Sequence, residues 1–257
     1  MDKHKQSSGA SVNPVEAIID KQKPFVYLHA HVINREFLTK ALDAKKSLEV
    51  DMSLAADGSV FIGHPLSFYQ FKGLPPPDNL PLDDVLQAMK DAGLYLVLDV
   101  KDVRALPKAQ ETIQNFGANN VLLHAWADAL LFKPYPPEII VEPHWALEDL
   151  PLGEIEKVKA TTGVPVVVSA RGLTQKRLRS EGSEITQKII DTIKGKAEAV
   201  NFQLPNGEAP SIVIMQKLLD EGILTWFNVD CVPAELRPPI YLGASDKLDS
   251  VSDPAGF

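Results

Sequence analysis

The stretch that decides the fold is YLVLDVK at residues 95–101, an almost continuous apolar run that ends in an acid and a lysine. Similar apolar runs recur along the chain, and stretches with the 3.6-residue period of amphipathic helices lie between them. This alternation is typical of a parallel β-sheet covered by helices. Strands are predicted at residues 25–31, 48–53, 95–101, 121–125, 139–142, 166–169, 199–202 and 224–229.

These strands predict a closed α/β barrel, the (β/α)8 or TIM-type fold, rather than an open sheet. The length of 257 residues is close to the roughly 250 residues typical of that fold. We expect one barrel domain over residues 21–257, preceded by a disordered polar arm at residues 1–20. An Asp57-Gly58 turn predicts a short extra strand at residues 59–62. Helices are predicted at residues 35–44, 82–92, 109–116, 153–162, 184–196 and 211–221.

The composition excludes some classes of function. Lys and Arg total 26 against 34 Asp and Glu, a formal net charge of −8, whereas a nucleic-acid-binding protein should carry a basic surface. The single cysteine, Cys231, excludes an intramolecular disulfide. No stretch has the length and apolarity of a membrane span. We expect a monomer located in the cytoplasm, with export of a mature protein as the alternative.

Predicted strands end in charged residues that do not suit a plain apolar core. Side chains alternate along a strand, so Glu49 and Asp51 share one face, as do Asp99 and Lys101. Carboxylates gathered at the mouth of a barrel repel one another unless a cation lies between them, and oxygen ligands suit Mg²⁺ or Ca²⁺. We therefore predict that Glu49, Asp51 and Asp99 bind a divalent metal ion. Lys101 would add a positive charge for an anionic substrate.

Histidines near the same strand ends are candidate proton-transfer groups. His29 and His31 share one face of the first strand. His64 follows the short extra strand, and the Asp57-Gly58 turn brings it back toward Asp51. Two imidazoles on opposite sides of a phosphorus atom can act as general base and general acid. Either His29 or His31 can be the partner of His64.

Four short motifs occur in an order that resembles a known superfamily. They are HVIN at residues 31–34, EVD at 49–51, ADG at 56–58 followed by His64, and DVK at 99–101. Together they resemble the PLC-like phosphodiesterases, in particular the glycerophosphodiester phosphodiesterases and the sphingomyelinase D-type phospholipases. FNVD at 227–230 and DSVSDP at 249–254 resemble later segments of those families. Two departures leave the head group open: Cys231 is alone, and Val32 stands where glycerophosphodiesterases carry Arg.

The resemblance implies a metal-dependent phosphodiesterase that cleaves a glycerophosphodiester or a (lyso)phospholipid head group. His31 and His64 would share the acid and base roles, because the His-x-x-Asn spacing favours His31 over His29. A neighbouring hydroxyl of the substrate would attack first and give a cyclic phosphate, with attack by water as the alternative. A lipid substrate would bring the protein into transient contact with a membrane surface.

Two other interpretations stay open. The same motifs also resemble the menorin-like family, which implies a metal-binding barrel with little or no turnover that acts in binding or signalling. A carbon–carbon lyase barrel would use Glu49 and Asp51 on Mg²⁺ to bind a keto acid. This last interpretation explains the carboxylates but gives no role to His64, and it ranks below the other two.

Further residues are predicted to contact the substrate around the same mouth. They are His29, Asn34, Lys101, Arg171, Trp226 and Phe227. Arg171 would bind a second anionic group, and Trp226 or Phe227 would form a wall of the pocket. For His124 and Asn201, near the ends of later strands, a role in the pocket and an ordinary place on the barrel rim are both open.

Overall fold

Eight parallel strands close into a barrel in the computed structural model, which describes residues 25–29, 33–126, 152–170, 183–202, 212–230, 234 and 242–245. The strands are β1 (Phe25–His29), β2 (Leu48–Leu54), β3 (Val60–Ile62), β4 (Leu96–Val100), β5 (Val121–Trp126), β6 (Val166–Ala170), β7 (Ala199–Phe202), β8 (Leu224–Asn228) and β9 (Leu242–Ser245). They pair in the order β1, β9, β8, β7, β6, β5, β4, β2, and β2 also pairs with β1, which closes the ring. Strand β3 pairs antiparallel with the end of β2. The predicted (β/α)8 barrel is confirmed.

Seven α-helices alternate with these strands in the described part of the chain. They are α1 (Arg35–Asp43), α2 (Leu66–Lys72), α3 (Leu82–Asp91), α4 (Leu106–Phe116), α5 (Leu152–Thr162), α6 (Ser183–Ile193) and α7 (Ile212–Asp220). Helix α3 is amphipathic, since its buried residues recur at helical spacing: Leu82, Val85, Leu86 and Met89. None of the described helices is both long enough and apolar enough to cross a membrane.

Alternate residues of each strand lie in different environments. In β2, Leu48, Val50 and Met52 pack outward with the helices, so Glu49 and Asp51 face into the barrel. A second apolar cluster fills the interior; its buried members are Tyr27, Tyr95, Val97, Leu122, Val167, Ala199, Leu224 and Trp226. Polar residues follow this cluster toward the carboxyl ends of β2, β4, β5, β6 and β7. The barrel is therefore a packed core beneath a polar mouth, which is where barrel enzymes carry their sites.

One strand of the barrel differs from the prediction. The strand predicted at residues 139–142 lies outside the described residues, and β5 pairs directly with β6, which leaves no place between them. The place in the ring is taken by β9, which pairs with both β8 and β1. The pattern of β9 is weak because its sequence, LGAS, contains a glycine and two other small residues and no β-branched residue.

One helix of the structure is absent from the predicted set. Helix α2 lies between His64 and the Pro-rich stretch and ends at Gly73, whose φ of +66° suits a left-handed C-cap. The segment is short, and it is bounded by Pro65 on one side and three prolines on the other. Its sequence is therefore too short to show a clear helical period. The arm predicted at residues 1–20 lies outside the described residues, and the assignment of residues 21–257 to one domain stays a prediction.

Candidate functional site

Three charged residues occupy neighbouring positions on adjacent strands at the barrel mouth. Asp51 of β2 pairs in register with Asp99 of β4, and Asp99 pairs with His124 of β5. All three side chains face inward, and each of these residues is at most 3% exposed. Parallel register therefore lines up two carboxylates and an imidazole at one level of the barrel.

Two groups of side chains at this level can hold a metal ion. His29, Glu49 and Asp51 form the first group, and Glu49, Asp99 and His124 form the second. Within each group the ligand atoms lie within 4.8 Å of one another. In the first group His29 is partly exposed, and the buried Asp51 Oδ1 accepts no hydrogen bond from the described residues. Carboxylate and imidazole ligands suit a divalent cation, which agrees with the predicted Mg²⁺ cofactor, and the assignment of Glu49, Asp51 and Asp99 as its ligands stays a prediction.

Lys101 lies beside the carboxylates as predicted. Its Nζ is 2.6 Å from Asp99 Oδ2 and 3.6 Å from Asp51 Oδ1, and its side chain is 7% exposed. An ammonium group that loses its hydration needs such close anionic partners. The Lys101 backbone N–H donates to the carbonyl oxygen of Met52 at 2.9 Å, which fixes the end of β4 alongside β2.

His124 connects the carboxylates to two further strands. Its Nδ1 lies 3.0 Å from Glu49 Oε1 and 3.0 Å from Asp99 Oδ2. Its Nε2 is hydrogen-bonded to Ser169 Oγ on β6. The Asn201 side-chain amide on β7 donates to the same Ser169 oxygen at 2.5 Å. A buried polar network thus runs from β2 to β7 across the interior of the barrel.

Burial and charge shift the acid–base properties of this network in opposite directions. Burial alone lowers the pKa of His124, but the charges of Asp99 and Glu49 and their hydrogen bonds outweigh it and raise the pKa to about 9. Burial likewise raises the pKa of Asp99, but the charges of His124 and Lys101 outweigh it and hold the pKa well below its usual range. Burial, then the negative charges of Glu49 and Asp99, raise the pKa of Tyr27 well above its usual value. At neutral pH His124 is therefore a cation and Tyr27 a neutral phenol.

His64 lies at the rim of the mouth, above Asp51. Its Nε2 is 3.4 Å from Asp51 Oδ2, and its side chain is 19% exposed. The ring stacks on Phe68 with centroids 4.3 Å apart, and the His64 backbone N–H donates to the Tyr69 hydroxyl at 3.1 Å. Helix α2 therefore holds this imidazole between the metal ligands and solvent.

Aromatic rings form the floor of the site. Trp226 and Tyr27 stack with ring centroids 5.8 Å apart, and Trp226 meets the edge of His124 at 5.0 Å. Both aromatic residues belong to the cluster that fills the barrel interior. The interior next to the polar residues is therefore packed with side chains.

The structure brings together most of the predicted site residues. Seven of them line the mouth or its floor: His29, Glu49, Asp51, His64, Asp99, Lys101 and Trp226. Asn34 is exposed and caps α1, where its Oδ1 accepts from the Phe37 backbone N–H. Phe227 is fully buried, and strand alternation points it away from the interior that Trp226 faces. His31 and Arg171 lie outside the described residues.

Some residues of the network escaped the sequence analysis. Ser169 and Tyr27 were not among the predicted site residues, and the roles of His124 and Asn201 were left open. The sequence signal that points to Ser169 is the alternation of side chains along a strand. Ser169 lies two residues after Val167 and therefore on the same inward face of β6. A single serine at a strand end is too common to carry a prediction without the register of its neighbours.

Comparison with known proteins identifies the fold and little more. No family model matches the chain, and no curated protein matches it. A solved structure of phosphonopyruvate hydrolase complexed with oxalate and Mg++ is similar, with a TM-score of 0.51 at 12% identity over 92% of this chain and 81% of that chain. A HpcH/HpaI aldolase from Desulfitobacterium hafniense DCB-2 has a TM-score of 0.45 at 12% identity over 90% of both chains. The similarity shows a barrel fold.

These comparisons correct the predicted family. The similar structure with a TM-score above 0.5 is a phosphonopyruvate hydrolase, and no family model matches the chain. The predicted membership of the PLC-like superfamily, with its glycerophosphodiesterase, sphingomyelinase D-like and menorin-like branches, is therefore wrong. The phosphodiesterase activity and the lipid or glycerol phosphodiester substrate inferred from it are wrong as well. The physical reason is that the carboxyl ends of any parallel barrel converge, so short strand-end motifs locate a site without defining its reaction.

Proposed function

We propose that the chain is a Mg²⁺-dependent enzyme that breaks or forms a bond to carbon 3 of a small 2-oxo acid. The observation that carries the proposal is the group of His29, Glu49 and Asp51, three metal-ligand side chains at the open mouth of a barrel whose interior is otherwise filled. The substrate class is suggested by phosphonopyruvate hydrolase, whose structure holds oxalate and Mg++. Oxalate is a planar dianion with the shape of a 2-oxo acid that has lost a proton from carbon 3.

The charge of the mouth supports an anionic ligand once a metal is bound. Among the described residues that meet there, three carboxylates face two cations, Lys101 and protonated His124. The sum of −1 becomes +1 with a divalent ion, and a 2-oxo monocarboxylate then brings the site to neutrality. A low-dielectric mouth favours such a balance because unpaired charges there are costly.

The residues of the chain then have separate tasks. When bound, the ion supplies a Lewis acid that draws electrons toward the 2-oxo oxygen of the substrate. Lys101, held by Asp99 and Asp51, adds a fixed positive charge beside the ligand carboxylates. His64 is a partly exposed imidazole next to Asp51, and its ring is suited to hold the proton that carbon 3 gives or takes. The keto-acid interpretation thus gains a role for His64.

The aromatic floor favours a small substrate. Trp226 and Tyr27 close the interior directly beneath His124, so the substrate has no apolar tunnel in which to place a long chain. A short 2-oxo acid with its reactive groups at one end suits such a shallow site.

Exchange of carbon-bound protons tests the proposal without knowledge of the leaving group. Pyruvate in D₂O, followed by proton NMR, should lose its methyl signal in the presence of the protein and Mg²⁺ faster than in a protein-free blank. The exchange should stop with EDTA and fall at least about 100-fold in Asp51→Asn, because a metal ligand is lost. His64→Gln should slow the exchange while the affinity for oxalate in the presence of Mg²⁺ is kept.

A matched control separates the site from general damage. Asp57→Asn makes the same chemical change at an exposed turn, where Asp57 bonds only its neighbour Ser59 among the described residues, and it should exchange protons like the wild type. Pyruvate release from phosphonopyruvate and from 4-hydroxy-2-oxo acids would then identify the bond that is broken. Absence of both exchange and release, in a folded protein that binds Mg²⁺, would contradict the proposed function.

A further inference from the structure

The metal ligand Glu49 is held from behind by a chain of buried hydrogen bonds. Its Oε1 lies 3.0 Å from His124 Nδ1, and Glu49 is the member shared by both groups of metal ligands. Because a carboxylate on a flexible side chain can rotate, a fixed partner on one oxygen defines where the ligand points. His124 is in the right place to be that partner.

The imidazole of His124 is itself fixed on three sides. Nδ1 also lies 3.0 Å from Asp99 Oδ2, and Nε2 is hydrogen-bonded to Ser169 Oγ. The Asn201 amide donates to the same oxygen at 2.5 Å, and Trp226 packs against the ring in an edge-to-face arrangement. All of these residues are at most 6% exposed. Rotation of the ring would break hydrogen bonds that water cannot replace, and each broken bond in such a network is costly.

We propose that His124 is a positioning residue for the metal ligand Glu49, and that Ser169 and Asn201 set its ring orientation. This inference rests on the proposed metal site and extends it to β6 and β7. His124 does not touch the substrate, because it is 1% exposed and its strand β5 is separated from the strand of Asp51 by β4 and from the strand of His29 by β4 and β2. Its effect is on the affinity and geometry of the metal rather than on proton transfer.

Two substitutions of His124 distinguish the roles of its two ring nitrogen atoms. The amide nitrogen of asparagine reaches about as far as Nδ1 of histidine, so His124→Asn keeps a donor for Glu49 and Asp99 and loses the contact with Ser169. The amide of glutamine reaches about as far as Nε2, so His124→Gln keeps the contact with Ser169 and loses the donor to the carboxylates. If positioning of Glu49 is the function, His124→Gln should be the more damaging change.

Mn²⁺ binding tests the proposal directly. It can be measured by calorimetry and by the EPR signal of the bound ion. Loss of an outer hydrogen-bond partner typically weakens metal binding about 10–100-fold, and we expect a loss in that range for His124→Gln. His124→Asn should bind within about fivefold of the wild type, and Ser169→Ala should lose severalfold because the ring is less fixed. The EPR line shape of His124→Gln should change, since the ligand geometry changes.

Val167→Ala is the matched control for loosened packing. Val167 is the register partner of His124 and faces the same interior, but it makes no hydrogen bond through its side chain. It should lower the unfolding temperature in EDTA and leave Mn²⁺ affinity unchanged. If His124→Gln fails to fold, Ser169→Ala carries the test, and wild-type Mn²⁺ affinity in that variant would overturn the inference.

The outcomes distinguish this inference from the proposed function. A wild-type protein that binds no Mn²⁺ would remove the metal site, and both proposals would fall together. A wild type that binds Mn²⁺, with His124→Gln binding equally well, would overturn the positioning role alone. Equal losses in His124→Gln and Val167→Ala would assign the effect to packing and would also overturn it.

Discussion

Buried carboxylates lie at both ends of this barrel, and the two ends balance their charge differently. At the amino-terminal end, Glu198 precedes β7 and is 7% exposed. One oxygen lies 2.5 Å from Lys159 Nζ, and the other accepts from the Val166 backbone N–H at 2.7 Å. At the carboxyl-terminal end, Glu49, Asp51 and Asp99 share two cations.

The difference separates a buried acid whose charge is balanced by the fold from the acids of the proposed metal site. Glu198 has one cation and one backbone donor for its two oxygens, so the fold needs nothing more there. At the mouth one negative charge is left over among the described residues, and Asp51 Oδ1 accepts no hydrogen bond from them. In barrels the amino-terminal face serves stability and the carboxyl-terminal face serves chemistry. The net negative charge among the described residues at the mouth agrees with that rule.

The largest expected effect of this contrast is on metal affinity. Asp51→Asn removes a ligand oxygen charge and should weaken Mn²⁺ binding at least about 100-fold, or about 2.7 kcal/mol. The same change relieves repulsion among the carboxylates, so the free energy of unfolding in EDTA should stay equal or rise. Calorimetric titration and thermal unfolding measure the two quantities. Loss of stability without loss of affinity would show that Asp51 is structural, like Glu198.

An effect of similar size is the dependence of stability on pH in the metal-free protein. The folded pKa of His124 is raised to about 9, above the roughly 6.5 of an unfolded histidine. The folded state therefore holds its proton more tightly, and this contribution to stability is fully present below about pH 6.5 and is lost as the pH rises through 9. The loss is on the order of 3 kcal/mol. Urea unfolding in EDTA between pH 6 and pH 10 measures it, and His124→Gln should flatten the curve.

A smaller effect is expected at the amino-terminal end. Glu198→Ala removes the partner of Lys159 and leaves the Val166 backbone N–H buried without its acceptor. Lys159 is partly exposed, so we expect a loss of about 2 kcal/mol in the free energy of unfolding rather than the full cost of a broken buried pair. Mn²⁺ affinity should not change. A tenfold loss of affinity in this variant would mean that the two ends of the barrel are coupled.

The fold and the placement of Glu49 and Asp51 at the mouth could be predicted because they depend on local alternation. Glu49 and Asp51 are two residues apart on a strand whose other face is apolar, so both had to point the same way. The chain segments that form β1, β2, β4 and β5 are rich in branched and aromatic residues, which is a strong signal for strands. Strand β9 lacked that signal, and only closure of the ring reveals it.

The hydrogen-bond network and the reaction could not be predicted for a different reason. The hydrogen-bonded link from His124 through Ser169 to Asn201 depends on the register of three strands that are far apart in the sequence. The reaction depends on which groups remain for a substrate after the network forms. Asp99 was predicted as a metal ligand, and in the structure Lys101 and His124 contact it closely. Motifs at strand ends do not show which of their charged side chains pair with one another in the folded barrel.

The smallest effect we predict concerns the rim of the mouth and leaves its charge unchanged. Gly63 has a φ of +142°, and a Cβ atom there would come within 2.7 Å of the Tyr69 hydroxyl. Gly63→Ala should therefore cost about 1–2 kcal/mol in stability and displace the next residue, His64, from its place beside Asp51. Proton exchange on pyruvate should slow several-fold while Mn²⁺ affinity stays within about threefold, because the proposed metal ligands His29, Glu49 and Asp51 lie on β1 and β2. Gly58→Ala is the matched control, since Gly58 also has positive φ but has no atom near its added Cβ, and it should lose stability without slowed exchange. If both variants exchange protons equally fast, the position of His64 does not matter to the chemistry, and the charge at the mouth acts without it.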